Sequence, residues 1–84
     1  MNDKTLYAIK VSAANESFEL WVPDELSVSL ATQLTINVLR EKTAKQFEAT
    51  AATSLYLKET GDELDINKLM GEYNFVDGTE LVLI

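Results

Sequence analysis

Four carboxylates lie close together in the last third of the sequence, around a single glycine. They are Glu59, Asp62, Glu63 and Asp65, on either side of Gly61. Clustered carboxylate oxygens are the ligands that hard cations such as Ca²⁺ prefer, and paired carboxyl groups can exchange protons in acid–base catalysis. The spacing lacks the Asp-x-Asp-x-Asp-Gly order of a calcium loop, and Gly61 and Gly78 stand singly rather than in a phosphate-binding loop. We therefore predict a solvated, charged turn without a metal.

The sequence contains no histidine and no cysteine. It therefore lacks the usual general base at neutral pH, a thiolate nucleophile, sulfur-ligated metals and disulfides. An enzyme would have to work with carboxylates, hydroxyls and lysines alone. We predict no catalytic residue, no cofactor and no enzymatic activity.

The charge balance is strongly acidic, with a net charge of −7. Such a surface repels phosphate, so we expect neither nucleic acid nor an anionic membrane as a partner, and a basic protein surface would be attracted. No apolar run approaches the roughly 20 residues needed to cross a bilayer. Residues 1–4 lack the basic-then-apolar pattern of a secretion signal, which predicts a cytoplasmic protein. A chain of 84 residues with 46% hydrophobic content predicts one small domain, residues 1–84.

Two alternating segments near the N-terminus predict a β-hairpin. In residues 5–13 the inward-facing side chains are Tyr7, Ile9 and Val11, and in residues 18–22 they are Phe18, Leu20 and Val22. The residues between them face outward, among them Leu6, Ala8, Glu19 and Trp21. Asn15 suits the turn, and Pro23 ends the second strand.

A helix follows the hairpin. Ser27 or Ser29 is suited to its N-cap, and Arg40 and Lys42 lie toward its C-terminal end, where positive charge is stabilising. The apolar stripe that we expect to face the core comprises Ala31, Leu34 and Val38, with Leu30 at its edge. Ile36 lies outside this stripe, so it either packs under the following loop, residues 48–53, or contacts a partner, and we favour the loop.

The C-terminal half predicts two further strands. Leu55 and Leu57 face inward in a third strand, residues 53–59, and Leu81 and Leu83 do so in the last. Between them Leu64 returns to the core, and Asp65 caps a short helical turn through Leu69. This order predicts an α+β fold, a mixed sheet with one α-helix packed across one face and the first and last strands paired at its centre.

This order of elements resembles the ubiquitin-like β-grasp fold over almost the whole chain. The closest local match runs from Leu69 through Tyr73-Asn74-Phe75 to Thr79 and Leu81-Val82-Leu83. The resemblance implies that Tyr73 ties down the local loop. Ubiquitin and the related sulfur carriers act through a tail ending in Gly-Gly, whereas this sequence ends at Ile84 and has no Gly-Gly. We therefore set conjugation and sulfur transfer aside, and the alternative is a carrier that acts through a C-terminal tail beyond Ile84.

Among ubiquitin-like proteins without such a tail, the chain is similar to the YukD/EsaB family of Gram-positive bacteria. The similarity rests on residues 18–23, on Leu26-Ser27-Val28-Ser29-Leu30 before the helix, and on Asp77-Gly78-Thr79-Glu80-Leu81 before the end. It implies a cytoplasmic accessory component of a type VII (WXG100/ESX-type) secretion system, and hence a non-conjugating adaptor that binds secretion machinery or a regulator.

Ubiquitin-like modules commonly bind partners through the sheet face opposite the helix. In this sequence the alternation places Leu6, Ala8, Trp21, Tyr56, Val82 and Ile84 there, where they could form one apolar patch. Trp and Tyr are favoured anchors of protein interfaces. The alternative is that Trp21 lies over its own neighbours, with Lys10 and Glu19 covering the rest. Both this face and the edge of the second strand would permit a homodimer.

Overall fold

The computed structural model describes residues 3–42 and 53–84, which form a mixed four-stranded sheet with one α-helix. The elements are β1 (Lys4–Val11), β2 (Glu16–Pro23), α1 (Val28–Lys42), β3 (Leu55–Leu57), a 3₁₀ helix (Met70–Tyr73) and β4 (Thr79–Leu83). The strand order is β2-β1-β4-β3, with β1 and β4 parallel and the two outer pairs antiparallel. The predicted α+β architecture and the central pairing of the first and last strands are confirmed.

The hairpin has the predicted facing. Tyr7, Ile9 and Val11 of β1 are buried, as is Val22 of β2. Phe18 and Leu20 also point inward but are only half-buried against the core. The turn contains Asn15 in the left-handed region, with φ of 51°, which asparagine tolerates better than most residues.

The helix begins as expected, but it presents a different face to the sheet. Ser27 caps it, because its hydroxyl accepts a hydrogen bond from the N–H of Leu30 at 3.1 Å. The buried residues are Val28, Ala31, Thr32, Thr35, Ile36 and Leu39. Of the predicted stripe only Ala31 is buried, whereas Leu34 and Val38 are half-buried and Leu30 is 57% exposed.

The prediction for the helix face is therefore wrong, and Ile36 is a core residue at 4% exposure. Two buried threonines explain the error. The hydroxyls of Thr32 and Thr35 donate to the carbonyl oxygens of Val28 and Ala31, both at 2.8 Å. Their polar atoms are satisfied within the helix, so only their methyl groups must be accommodated by the core. The predicted loop over Ile36 lies largely outside the described residues.

The segment around the 3₁₀ helix is hydrogen-bonded to the connection between β2 and α1. The N–H of Met70 donates to the carbonyl of Leu26 at 2.8 Å, and that of Gly71 to Asp24 at 2.9 Å. Met70 is completely buried, and Leu64 enters the core at 3% exposure. As the resemblance implies, the Tyr73 hydroxyl holds the loop, since it accepts a hydrogen bond from the N–H of Asp65 at 2.8 Å.

β3 is shorter than predicted. It covers three residues rather than 53–59, because the chain turns back and the N–H of Leu57 donates to the carbonyl of Asp62 at 2.8 Å. In residues 3–42 and 53–84, no helix combines the length and apolar character needed to cross a bilayer.

Candidate protein-binding face

The sheet face opposite α1, called here the outer face, is built by strand alternation. Five of the six predicted residues alternate with buried positions on their strands: Leu6 and Ala8 on β1, Trp21 on β2, Tyr56 on β3 and Val82 on β4. Ile84 follows β4 directly and exchanges backbone hydrogen bonds with Ser54 at 3.0 and 3.1 Å, which continues the ladder. All six predicted residues therefore lie on one side of the sheet.

The strand register sorts these residues into two groups. Trp21 lies directly opposite Leu6 at one end of the β1–β2 pair. Val82 lies directly opposite Tyr56 on the β3–β4 pair, with Ile84 beyond it. Directly opposed side chains on one face are in contact range, so each group can act as a unit.

A charged row crosses the outer face between the two groups. Ala8 is paired with Glu19 on one side and with Glu80 on the other. Glu80 also forms an ion pair with Lys58, with 2.8 Å between Nζ and Oε2. The hydrogen bond and the charge of Lys58 lower the pKa of the Glu80 carboxyl. The outer face thus offers two apolar groups with a charged row between them, rather than one continuous apolar patch.

Trp21 is 47% exposed. The side chain over its ring is that of Lys4, whereas the sequence suggested Lys10 and Glu19 as the covering residues. The Nζ of Lys4 lies 5.4 Å from the centroid of the Trp21 ring. Such a cation–π contact contributes about 0.5–1 kcal/mol at an exposed site. A lysine on a flexible stem is readily displaced, so the contact leaves the indole accessible to a partner.

An open groove borders the charged row. It is lined by Leu57, Lys58, Glu59 and residues 76–80, among which Val76 is 74% exposed. The carboxylate of Asp77 accepts a hydrogen bond from the N–H of Leu6 at 3.0 Å, which joins the groove to β1. No pattern in the sequence indicates this groove, because it forms between two turns that are distant in the chain.

The acidic turn behaves as a charged surface turn in the described structure. The N–H of Asp62 donates to the hydroxyl of Thr60 at 3.2 Å, and the carboxylate of Asp65 accepts from the N–H of Asn67 at 2.9 Å. Over residues 3–42 and 53–84, no three acidic residues come together in a way that could hold a metal ion.

No protein-family model matches the sequence, and no curated protein does so. Solved structures do match. The ubiquitin-like domain of the Mycobacterium tuberculosis type VII secretion system protein ECCD1 aligns at a TM-score of 0.74 with 18% identity, covering 100% of this chain and 99% of that one. The EccD5 ubiquitin-like domain from Mycobacterium xenopi gives 0.72 and 20%, covering 99% and 94%. A chain of the MycP5-free ESX-5 inner membrane complex gives 0.81 and 17%, covering 99% of this chain and 21% of that chain.

The fold is ubiquitin-like. At these identities the comparisons establish the fold alone, and they confirm the predicted β-grasp. The similar structures include ubiquitin-like domains of type VII secretion components. The present chain spans only about a fifth of the ESX-5 chain that it matches.

Proposed function

We propose that this protein is a non-conjugating ubiquitin-like adaptor, a cytoplasmic accessory or regulatory component of a type VII secretion system related to the YukD/EsaB family. It acts by binding protein partners and is not an enzyme. Residues 1–84 form its single ubiquitin-like domain. The observation that carries the proposal is the similarity in fold to the EccD ubiquitin-like domains over 99–100% of this chain.

The binding surface in this proposal is the outer face. It comprises Leu6, Ala8, Trp21, Tyr56, Val82 and Ile84. The exposed indole of Trp21 supports it, because large aromatic side chains anchor interfaces out of proportion to their number. The net charge of −7 favours a partner with a basic surface, whose association it would accelerate.

The experiment is a pull-down from the native cytoplasm with the full chain as bait, followed by mass spectrometry. We expect the native protein to capture a type VII secretion component. Trp21→Ala and Val82→Asp should stay folded, because both side chains lie on the outer face, and should lose that component. Ile66→Asp is the matched control, since it places the same charge on a 54% exposed apolar residue outside the face.

Two results would contradict the proposal. Capture by both outer-face variants at the native level would exclude the outer face as the site. Capture of proteins unrelated to secretion, lost in the same variants, would retain the face and reject the secretion role.

A further inference from the structure

We infer that this protein has a second binding site, the free edge of β2 together with the flank of α1 beside it. The site takes an extended segment of a partner protein, which adds a strand to the sheet. This edge is separate from the outer face, and the inference stands whether or not the outer-face proposal holds.

The first observation is the direction of the backbone groups of β2. In an antiparallel pair, every second residue turns its N–H and C=O away from the partner strand. Leu6 uses its N–H and C=O on the β4 side, with Asp77 and with the N–H of Gly78 at 2.8 Å. Its opposite residue, Trp21, therefore belongs to a non-bonded pair and points its backbone groups outward.

The same alternation applies to every second residue along β2. The outward residues are Ser17, Glu19 and Trp21, each with one donor and one acceptor. The residues that alternate with these point their backbone groups toward β1. Asp24, which continues that series just after β2, donates its N–H to the carbonyl of Asp3 at 2.7 Å. Among the described residues, no backbone hydrogen bond is recorded for these outward groups, so β2 presents three unused donor–acceptor pairs.

The other edge of the sheet is closed by the chain itself. The outward groups of β3 belong to Leu55 and Leu57. The carbonyl of Leu55 accepts from Leu64 at 2.9 Å, and Leu57 bonds both Gly61 and Asp62, at 2.7 and 2.8 Å. One edge is thus protected and the other is open, which is the arrangement that strand addition requires.

The second observation is the apolar flank of α1. Leu30, Leu34, Val38 and Lys42 recur every four residues and so form one stripe along the helix. The Nζ of Lys42 lies 5.9 Å from the ring centroid of Phe18, which places the C-terminal end of this stripe on the β2 side. These apolar residues were expected in the core, yet Leu30 is exposed and Leu34 and Val38 are half-buried.

In the inferred site, the partner segment pairs with the edge and contacts the flank. An added strand would place the residues opposite Phe18 and Leu20 on the inner side, facing these half-buried side chains and the helix flank. The residue opposite Glu19 would share the outer side with that carboxylate. The matching segment therefore carries an apolar residue, then Lys or Arg, then a second apolar residue.

A second copy of this chain fits the edge less well. Antiparallel pairing of two β2 edges about a two-fold axis at Glu19 would set the two Glu19 side chains directly opposite each other. Like charges in that position are destabilising, and each molecule carries a net charge of −7. Charge complementarity thus favours a basic segment of another protein.

The test uses the full chain labelled with ¹⁵N and the probe acetyl-Ser-Thr-Ile-Lys-Val-Thr-Ser-amide. We expect saturable shifts of the amide signals of Ser17, Glu19 and Trp21, with a dissociation constant of about 1 mM or tighter. The same peptide with Glu in place of its Lys should bind at least about fivefold more weakly, because it opposes Glu19.

Two pairs of variants distinguish binding at the β2 edge and the α1 flank from effects of charge or of surface substitution alone. Glu19→Pro removes an N–H that the sheet does not use, so the fold should persist while affinity falls about tenfold or more. Glu19→Gln keeps the N–H and should retain part of the affinity. Leu34→Lys should weaken binding on the helix flank, whereas Asn37→Lys, on the exposed side of α1, should leave it unchanged.

Three results would overturn the inference. The first is a peptide response centred on Tyr56 and Val82, which would assign the peptide to the outer face. The second is equal affinity in the native protein, Glu19→Pro and Leu34→Lys. The third is a concentration-dependent dimer in sedimentation that Glu19→Pro abolishes, which would assign the edge to a second copy.

Discussion

Ile36 and Leu34 provide a direct test of which face of α1 holds the protein together. Substitution by alanine removes three carbon groups from either side chain. At about 0.8 kcal/mol for each buried group, the loss of transfer free energy at Ile36 is about 2.4 kcal/mol, and the cavity raises the total to about 3–4 kcal/mol. Leu34 is half-buried, so Leu34→Ala should cost only about 1 kcal/mol.

Urea unfolding followed by circular dichroism at 222 nm measures this difference. Two-state domains of this size have urea m-values near the lower end of about 1–3 kcal/mol/M, so a stability difference of about 2–3 kcal/mol should separate the two midpoints by about 2–3 M. Because both variants gain an alanine at neighbouring helix positions, helix propensity nearly cancels. Equal destabilisation by Leu34→Ala and Ile36→Ala would refute the observed helix orientation, because the helix would then present the stripe predicted from sequence.

Three further perturbations test other parts of the structure. Burial raises the pKa of the Tyr7 hydroxyl to about 12, from about 10 in the unfolded chain. The free energy of unfolding should therefore be full below pH 10 and fall as the pH rises from 10 to 12. Urea midpoints measured across this range should show the decline, and Tyr7→Phe should make the decline smaller. Gly71→Ala would place a methyl group 2.9 Å from the Cβ of Asp24, so the chain must shift locally to accept it. We expect thermal unfolding to show that the variant loses about 1–3 kcal/mol of stability. Tyr73→Phe removes the acceptor for the N–H of Asp65 and should cost about 1 kcal/mol, with faster hydrogen exchange at that amide; unchanged exchange would show that the hydrogen bond does not hold the loop.

Much of the outer face could be predicted from sequence because strand alternation is a local property. Once Tyr7 and Ile9 are assigned to the core, Leu6 and Ala8 must face the other way. What alternation does not contain is the lateral position of one strand against another. The register pairs Ala8 with both Glu19 and Glu80, and this pairing divides the apolar residues into two groups.

The sequence by itself determined the order of the elements, the hairpin and the inward residues of the strands, and it narrowed the helix cap to Ser27 or Ser29. These follow from side-chain periodicity, turn chemistry and capping, all of which act over a few residues. Tertiary structure decided which face of α1 is buried. The hydroxyls of Thr32 and Thr35 can bond back within the helix on any face, and only packing against the sheet makes theirs the covered one. It also decided which sheet edge is open, because the segment that closes β3 does so through backbone hydrogen bonds that no side-chain pattern records.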